Sequence, residues 1–174
     1  MAYRFLILSS LINFLVAEIV QFGGELYMDG QNARNIGMGG YSVSISAGAN
    51  PAQLMHIQDR SIHFSYKDKF AGLFSVSTLS YMYSEIINGI HYPIYISLVN
   101  RRVNNIPDTR NAKNSDGSID YSRIEDISQQ ELGLAFATIY NLNHFTLGFN
   151  IKPFYTGLAE YKAWGISGDL GVMA

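Results

Sequence analysis

Gly37, Gly39 and Gly40 place three glycines within four positions, a spacing that lets a backbone wrap a phosphate. A phosphate loop also needs a Lys-Ser/Thr pair, which is missing here, and a dinucleotide fingerprint needs its last glycine where this chain has Ser42. Nucleotide chemistry is therefore not expected. His56, His63, His91 and His144 show neither HExxH nor any other ligand spacing, so no metal centre is expected. There is no GxSxG elbow, and the serines of "SVSTLS" read as the polar positions of a strand. The chain contains no cysteine, which excludes thiolate chemistry and disulfides. The expectation is a protein that is not an enzyme and uses no cofactor.

The remaining polar residues take their meaning from the elements that carry them. From residue 61 onward the chain breaks into short segments of period two. In "HFTLGFNIKPF", Phe145, Leu147, Phe149 and Ile151 fall on one face, and Thr146, Gly148, Asn150 and Lys152 on the other. "WGISGDLGV" sets Trp164, Ile166, Leu170 and Val172 against Gly165, Ser167, Asp169 and Gly171, with Gly168 leaving a gap on the oily side. "LGLAFATIY" sets Leu132, Leu134 and Phe136 against Gly133, Ala135 and Ala137, and "SIHFSYK" sets Ile62, Phe64 and Tyr66 against His63, Ser65 and Lys67. Residues 72–82 and 92–100 supply two more strands, making six. Asn150, Lys152, Ser167 and Asp169 then share a polar face, where Lys152 and Asp169 can meet as an ion pair that fixes register. Arg101 and Arg102 are expected to mark the exit of the third strand.

Such alternation fits a water-soluble sandwich with its oily side inward, or a membrane barrel with its oily side outward. Three features favour the barrel. The composition is rich in Tyr (12), Phe (10) and Gly (16) with a single Trp. The connections are uneven, with a tight turn at 141–144 and a long polar stretch at 102–128, and barrels have short periplasmic turns and longer outer loops. The dimensions also fit, since a strand of about ten residues at about 3.3 Å each, tilted near 45°, covers roughly 23 Å, close to the apolar band of an outer membrane.

The third favouring feature is at the N-terminus. Met1 to Arg4 carries one positive side chain, "FLILSSLINFLV" follows, and Ala17 precedes Glu18, the order of a secretory signal. An N-terminal anchor or a buried helix are the alternatives, but the run is shorter than the roughly 18 to 20 residues that span a bilayer. With 12 Lys and Arg against 14 Asp and Glu, the chain is not basic enough for nucleic acid to be its main partner.

Between signal and strands, residues 18–60 read as a plug or hatch segment. Gly37, Gly39 and Gly40 would let backbone run close to backbone inside a narrow lumen. Asn50 can cap a helix, Pro51 suits its first position, and Gln53 stands where a capping-box side chain reaches back, so "NPAQLMHI" predicts a short helix seated by Leu54, Met55 and Ile57. Gly37, Gly39, Gly40, Asn50 and Pro51 are the candidate plug and gating residues.

The stretch "ARNIGMGGYSVSISAGANPAQL" resembles the amino-terminal signature of the PorV/PorQ proteins, outer-membrane barrels related to the FadL long-chain fatty acid transporters. Ala33, Arg34, Gly37, Met38, Gly39, Gly40, Asn50, Pro51 and Ala52 carry that likeness. "YKAWGISGDLGVM" resembles a later strand of the family through Ala163, Gly165, Asp169, Leu170, Gly171 and Val172, and "ISLVNRRVNNIPDT" resembles the region between. The resemblance implies residence in the outer membrane of a Gram-negative-type bacterium, contact with its lipid, and passage of a small hydrophobic ligand through a plugged lumen. On the PorV side it implies instead a component of type IX secretion that receives or shuttles secreted proteins. A structural or adhesive surface protein is a further alternative.

The expected fold is thus all-β: a transmembrane antiparallel β-barrel with a glycine-rich plug and a short helix, divided into a signal at 1–17, a plug at 18–60 and strands at 61–174. Six strands do not close a known type of membrane barrel, so this is expected to be the N-terminal portion of one, a fragment, or one member of an assembly that supplies the missing strands.

Overall fold

The computed structural model describes Leu26, Tyr27 and residues 50–174. The expected signal at 1–17 and the glycines Gly37, Gly39 and Gly40 lie outside the described residues. Six strands form a single antiparallel sheet in chain order: β1 (Ser61–Lys69), β2 (Phe74–Ile87), β3 (Ile90–Asp108), β4 (Glu125–Asn141), β5 (Thr146–Leu158) and β6 (Tyr161–Met173). The all-β class and the six strands agree with the sequence reading. The sheet is open: β1 and β6 are its two edges and do not pair.

Turn chemistry explains the meander. Asn88 and Gly89, with φ of 52° and 77°, join β2 to β3 in the left-handed conformation that a two-residue hairpin requires. The β1–β2 connection takes φ of 57°, 53° and 91° at Phe70, Ala71 and Gly72, and the Asp68 carboxylate accepts the Gly72 N–H at 2.9 Å.

The connection expected at 102–128 is shorter than that, because β3 runs on to Asp108 and β4 begins at Glu125. The ladder passes a bulge between Val103 and Ile106, where Asn105 adopts φ 53°, and then resumes as far as Asp108 opposite Glu125. The two strands therefore project as an arm past the ends of β2 and β5, about 17 Å long for five residues at roughly 3.3 Å each. The bulge at Asn104 and Asn105 and the proline at 107 interrupt the period of two here, which masked the strand character of this stretch.

The two faces of the sheet are opposite in kind. One exposes large apolar side chains in rows along the hydrogen-bond direction: Phe64, Leu79, Leu98 and Leu134 form one row, and Ile62, Tyr81, Ile96, Phe136 and Ile151 the next. Toward the arm follows a row of Tyr66, Ser77, Asn100, Leu132, Tyr155 and Trp164, and then a polar row from Asp68 through Arg102 to Lys162. The other face is buried and mixed: the polar Thr78, Ser80, Ser97, Asn150 and Lys152 lie beside an apolar cluster that includes Val76, Met82, Tyr95, Val99, Ala135, Ala137 and Ile139. Soluble sheets place bulk inward and polarity outward. This sheet exposes rows of bulky apolar side chains and covers a charged lysine and several other polar ones.

Candidate functional site

The buried face is made by the wall of the sheet and a short 3-10 helix, Pro51–His56, lying against it. Asn50 caps that helix as expected: its side-chain oxygen accepts the Ala52 N–H at 3.0 Å, while its amide nitrogen donates to the Val172 carbonyl of β6 at 3.2 Å. One side chain thus ends the helix and fastens it to the wall. Pro51 fills the first helical position and is buried, and Leu54 is fully covered.

The seat for this helix consists of two glycines. A Cβ at Gly148 would overlap the backbone of Pro51 and Ala52, and one at Gly171 would overlap the Asn50 amide. Close approach of backbone to backbone is what glycine permits there. Met55 does not help to seat the helix, contrary to the sequence reading: it is 37% exposed because the tighter 3-10 turn swings it away from the wall while Leu54 faces it. Ile57 packs at the edge of the core.

Asn150, Lys152, Ser167 and Asp169 all lie on this inner face, as expected from their alternation with outward apolar residues. Lys152 and Asp169 form an ion pair, and the Asn150 amide donates to the same Asp169 oxygen at 3.1 Å. Ser167 is half-buried opposite Lys152. Lys152 is only 5% exposed, and its Nζ also stands 5.3 Å from the centre of the Tyr27 ring. A charge so covered needs both the carboxylate and the ring to offset its lost hydration.

Arg101 and Arg102 correct the sequence reading. Both lie inside β3 rather than after it, and the period of two sends them to opposite faces. Arg102 is exposed; Arg101 points inward and pairs with Glu131 of β4, directly opposite in register, at 2.6 Å. Glu131 also accepts from Gln129 at 2.7 Å. This second inner ion pair was missed, although carrying the Gly133, Ala135, Ala137 alternation back by two residues reaches Glu131, and carrying Val99 forward reaches Arg101. Among the described residues the inner face thus bears the ion pairs Lys152–Asp169 and Arg101–Glu131, an arrangement that holds neighbouring strands in register.

Among the described residues no group of three or more His, Cys, Asp or Glu side chains is placed to hold a metal ion. His91 bonds the Ser84 hydroxyl across the β2–β3 hairpin and has no carboxylate behind it in any described contact.

At the far end, residues 109–124 fold into a compact tip. Asn114, Asp116 and Ser118 close a turn, and the Asp120 carboxylate caps Tyr121–Arg123 and receives Arg123 at 2.9 Å. Hydrogen bonds from the Ser122 hydroxyl, then from Arg123, hold the Asp120 carboxyl below the usual range. Arg110 reaches from this tip to Glu160 in the β5–β6 turn at 2.6 Å, and its guanidinium holds the Glu160 carboxyl low. The tip is tied to the sheet through charge.

No protein-family model, no curated protein and no solved structure matches the chain.

Proposed function

We propose that this chain forms part of the wall and plug of an outer-membrane β-barrel that passes small hydrophobic molecules. The observation that carries the reading is the inversion of the sheet: bulky apolar rows on the exposed face, and on the covered one polar residues, Lys152 among them, set into the apolar cluster. In water such a face would be an aggregation liability; against hydrocarbon it is the stable choice. Open edges are not tolerated in lipid, so the working barrel includes strands beyond these six, contributed by a longer chain or by another copy. The Asn50–His56 segment rests on the inner wall through one cap and two glycines, and cargo would pass when that contact shifts. No covalent step is involved.

The projecting arm favours a second reading, receipt of secreted proteins at the cell surface, because an ordered polar tip clasped to the next hairpin by Arg110 and Glu160 presents a defined surface away from the apolar rows. Uptake of an apolar probe supports the first reading, and capture of a secreted protein by residues 109–124 supports the second.

Heat-modified gel mobility of the detergent-extracted outer-membrane fraction tests the shared premise. A compact band in the unheated sample that shifts on boiling is expected. Recovery of the protein in the soluble periplasmic fraction would overturn both readings.

A further inference from the structure

We infer that the inner wall between Gly133 and Pro153 is a binding site for a hydroxyl-bearing aromatic ring, and that Tyr27 is its resident occupant. The site begins as a defect in the β4–β5 ladder. Pairing runs from Gln129 opposite Leu158 to Gly133 opposite Phe154, lapses, and resumes at Phe136 opposite Ile151. Pro153 sits in the gap and has no N–H to offer.

The Tyr27 hydroxyl stands where the missing donor would. Its oxygen is 2.9 Å from the Leu134 carbonyl oxygen and 2.6 Å from that of Pro153, so its one hydrogen serves two acceptors. The ring below it is 2% exposed, and the Lys152 ammonium lies 5.3 Å from its centre. Gly133 provides the room: a Cβ there would be 2.7 Å from Leu26 Cδ2 and 2.8 Å from the Tyr27 hydroxyl oxygen.

These contacts define the ligand chemically. A ring without a hydroxyl takes away the donor that Tyr27 supplies to the Leu134 carbonyl opposite Pro153, and an aliphatic alcohol forfeits the attraction of Lys152 for a π face. A phenol satisfies both. In the native chain the Tyr27 ring fills the site, so an added phenol is expected to bind where that ring has been removed. The inference concerns the inner face alone and stands whether or not the outer face meets lipid.

Replacing Tyr27 by alanine empties the site, and 4-methylphenol and toluene are the probes, differing by one hydroxyl. The midpoint of thermal unfolding of the full Tyr27→Ala chain in detergent is expected to rise by several degrees with 4-methylphenol, clearly less with toluene, and not at all for the wild type at the same concentration. Equal shifts from the two probes, or none, would overturn the site. If Tyr27→Ala does not fold, Tyr27→Phe in two backgrounds decides. It should lower the midpoint in the native chain and cost less alongside Pro153→Ala, which restores the missing N–H; equal losses in both backgrounds would overturn the assignment.

Discussion

Lys152 and Asp169 are not register partners: Lys152 lies opposite Ser167 and Asp169 opposite Asn150, so their ion pair crosses the β5–β6 ladder diagonally. The lysine side chain is 6% exposed and the aspartate 33%, so the two ends of the pair are unequally covered. Removing the carboxylate strands the more deeply buried charge, whereas removing the lysine leaves an aspartate that still receives Asn150 and meets solvent. Asp169→Asn should therefore destabilise by roughly 2–4 kcal/mol and Lys152→Met by about 1 kcal/mol, with the double change Lys152→Met/Asp169→Leu recovering most of the loss. Urea unfolding followed by the fluorescence of Trp164, the single tryptophan, measures all three.

The seat of the short helix gives a sharper test, because it depends on atoms that are absent. Gly148→Ala places a Cβ into the backbone of Pro51 and Ala52, and no side chain there can rotate away. The helix should leave the wall while the ladder, which needs only the backbone of residue 148, persists. Limited proteolysis is expected to cut within residues 50–60 faster in the variant, with the far-ultraviolet strand signal unchanged. A proteolysis rate equal to that of the native chain would mean that the wall, not the helix, gives way.

An ion pair clasps the tip of the arm to the β5–β6 turn, and that tie should be sensitive to acid. The Glu160 carboxyl is held below its ordinary value first by the hydrogen bond from Arg110. A carboxyl lowered in the folded state contributes stability that is complete above its unfolded pKa, about 4.3 for Glu, and is lost as pH falls through the lower folded value. Amide protection across 109–124, corrected for intrinsic exchange, should be constant from pH 7 to about pH 5 and fall below about pH 4. Arg110→Met should lower the protection at neutral pH and flatten the part of its acid dependence due to Glu160.

Much of this was legible in the chain because alternation survives wherever the two faces differ. The alternation of Phe149 and Ile151 with Asn150 and Lys152 specifies both the strand and the inward position of the ion pair. The cap at Asn50 was equally visible, since Asn-Pro followed by Gln has a local mechanism. Where the period of two is interrupted, the pattern fails: the bulge at Asn104 and Asn105, followed by Pro107, breaks the alternation of residues 103–108, so β3 looked shorter and Arg101 looked like its end. Tyr27 was hidden for another reason. Its partners are the carbonyls of Leu134 and Pro153, more than a hundred residues away, and a backbone oxygen exposed by a proline leaves no trace in local periodicity.

The inversion of the sheet makes a prediction that separates lipid from water directly. Leu98 lies at the centre of the apolar row, between Leu79 and Leu134, and is 39% exposed. Asn100 is two residues along the same strand on the same face, in the row with Tyr155 and Trp164. Arginine at a lipid-facing position costs about 2–4 kcal/mol at mid-bilayer and roughly 0–1 near the interface, while on a wet surface either change stays within about 0.5 kcal/mol. Leu98→Arg should thus cut the heat-modifiable fraction recovered after refolding into phospholipid vesicles by tenfold or more, and Asn100→Arg should leave it nearly unchanged. The contrast between the two is informative because they share strand, face and introduced side chain. If both refold as well as the native chain, the exposed apolar rows do not lie against hydrocarbon, and the covering of that face must be sought in another protein surface.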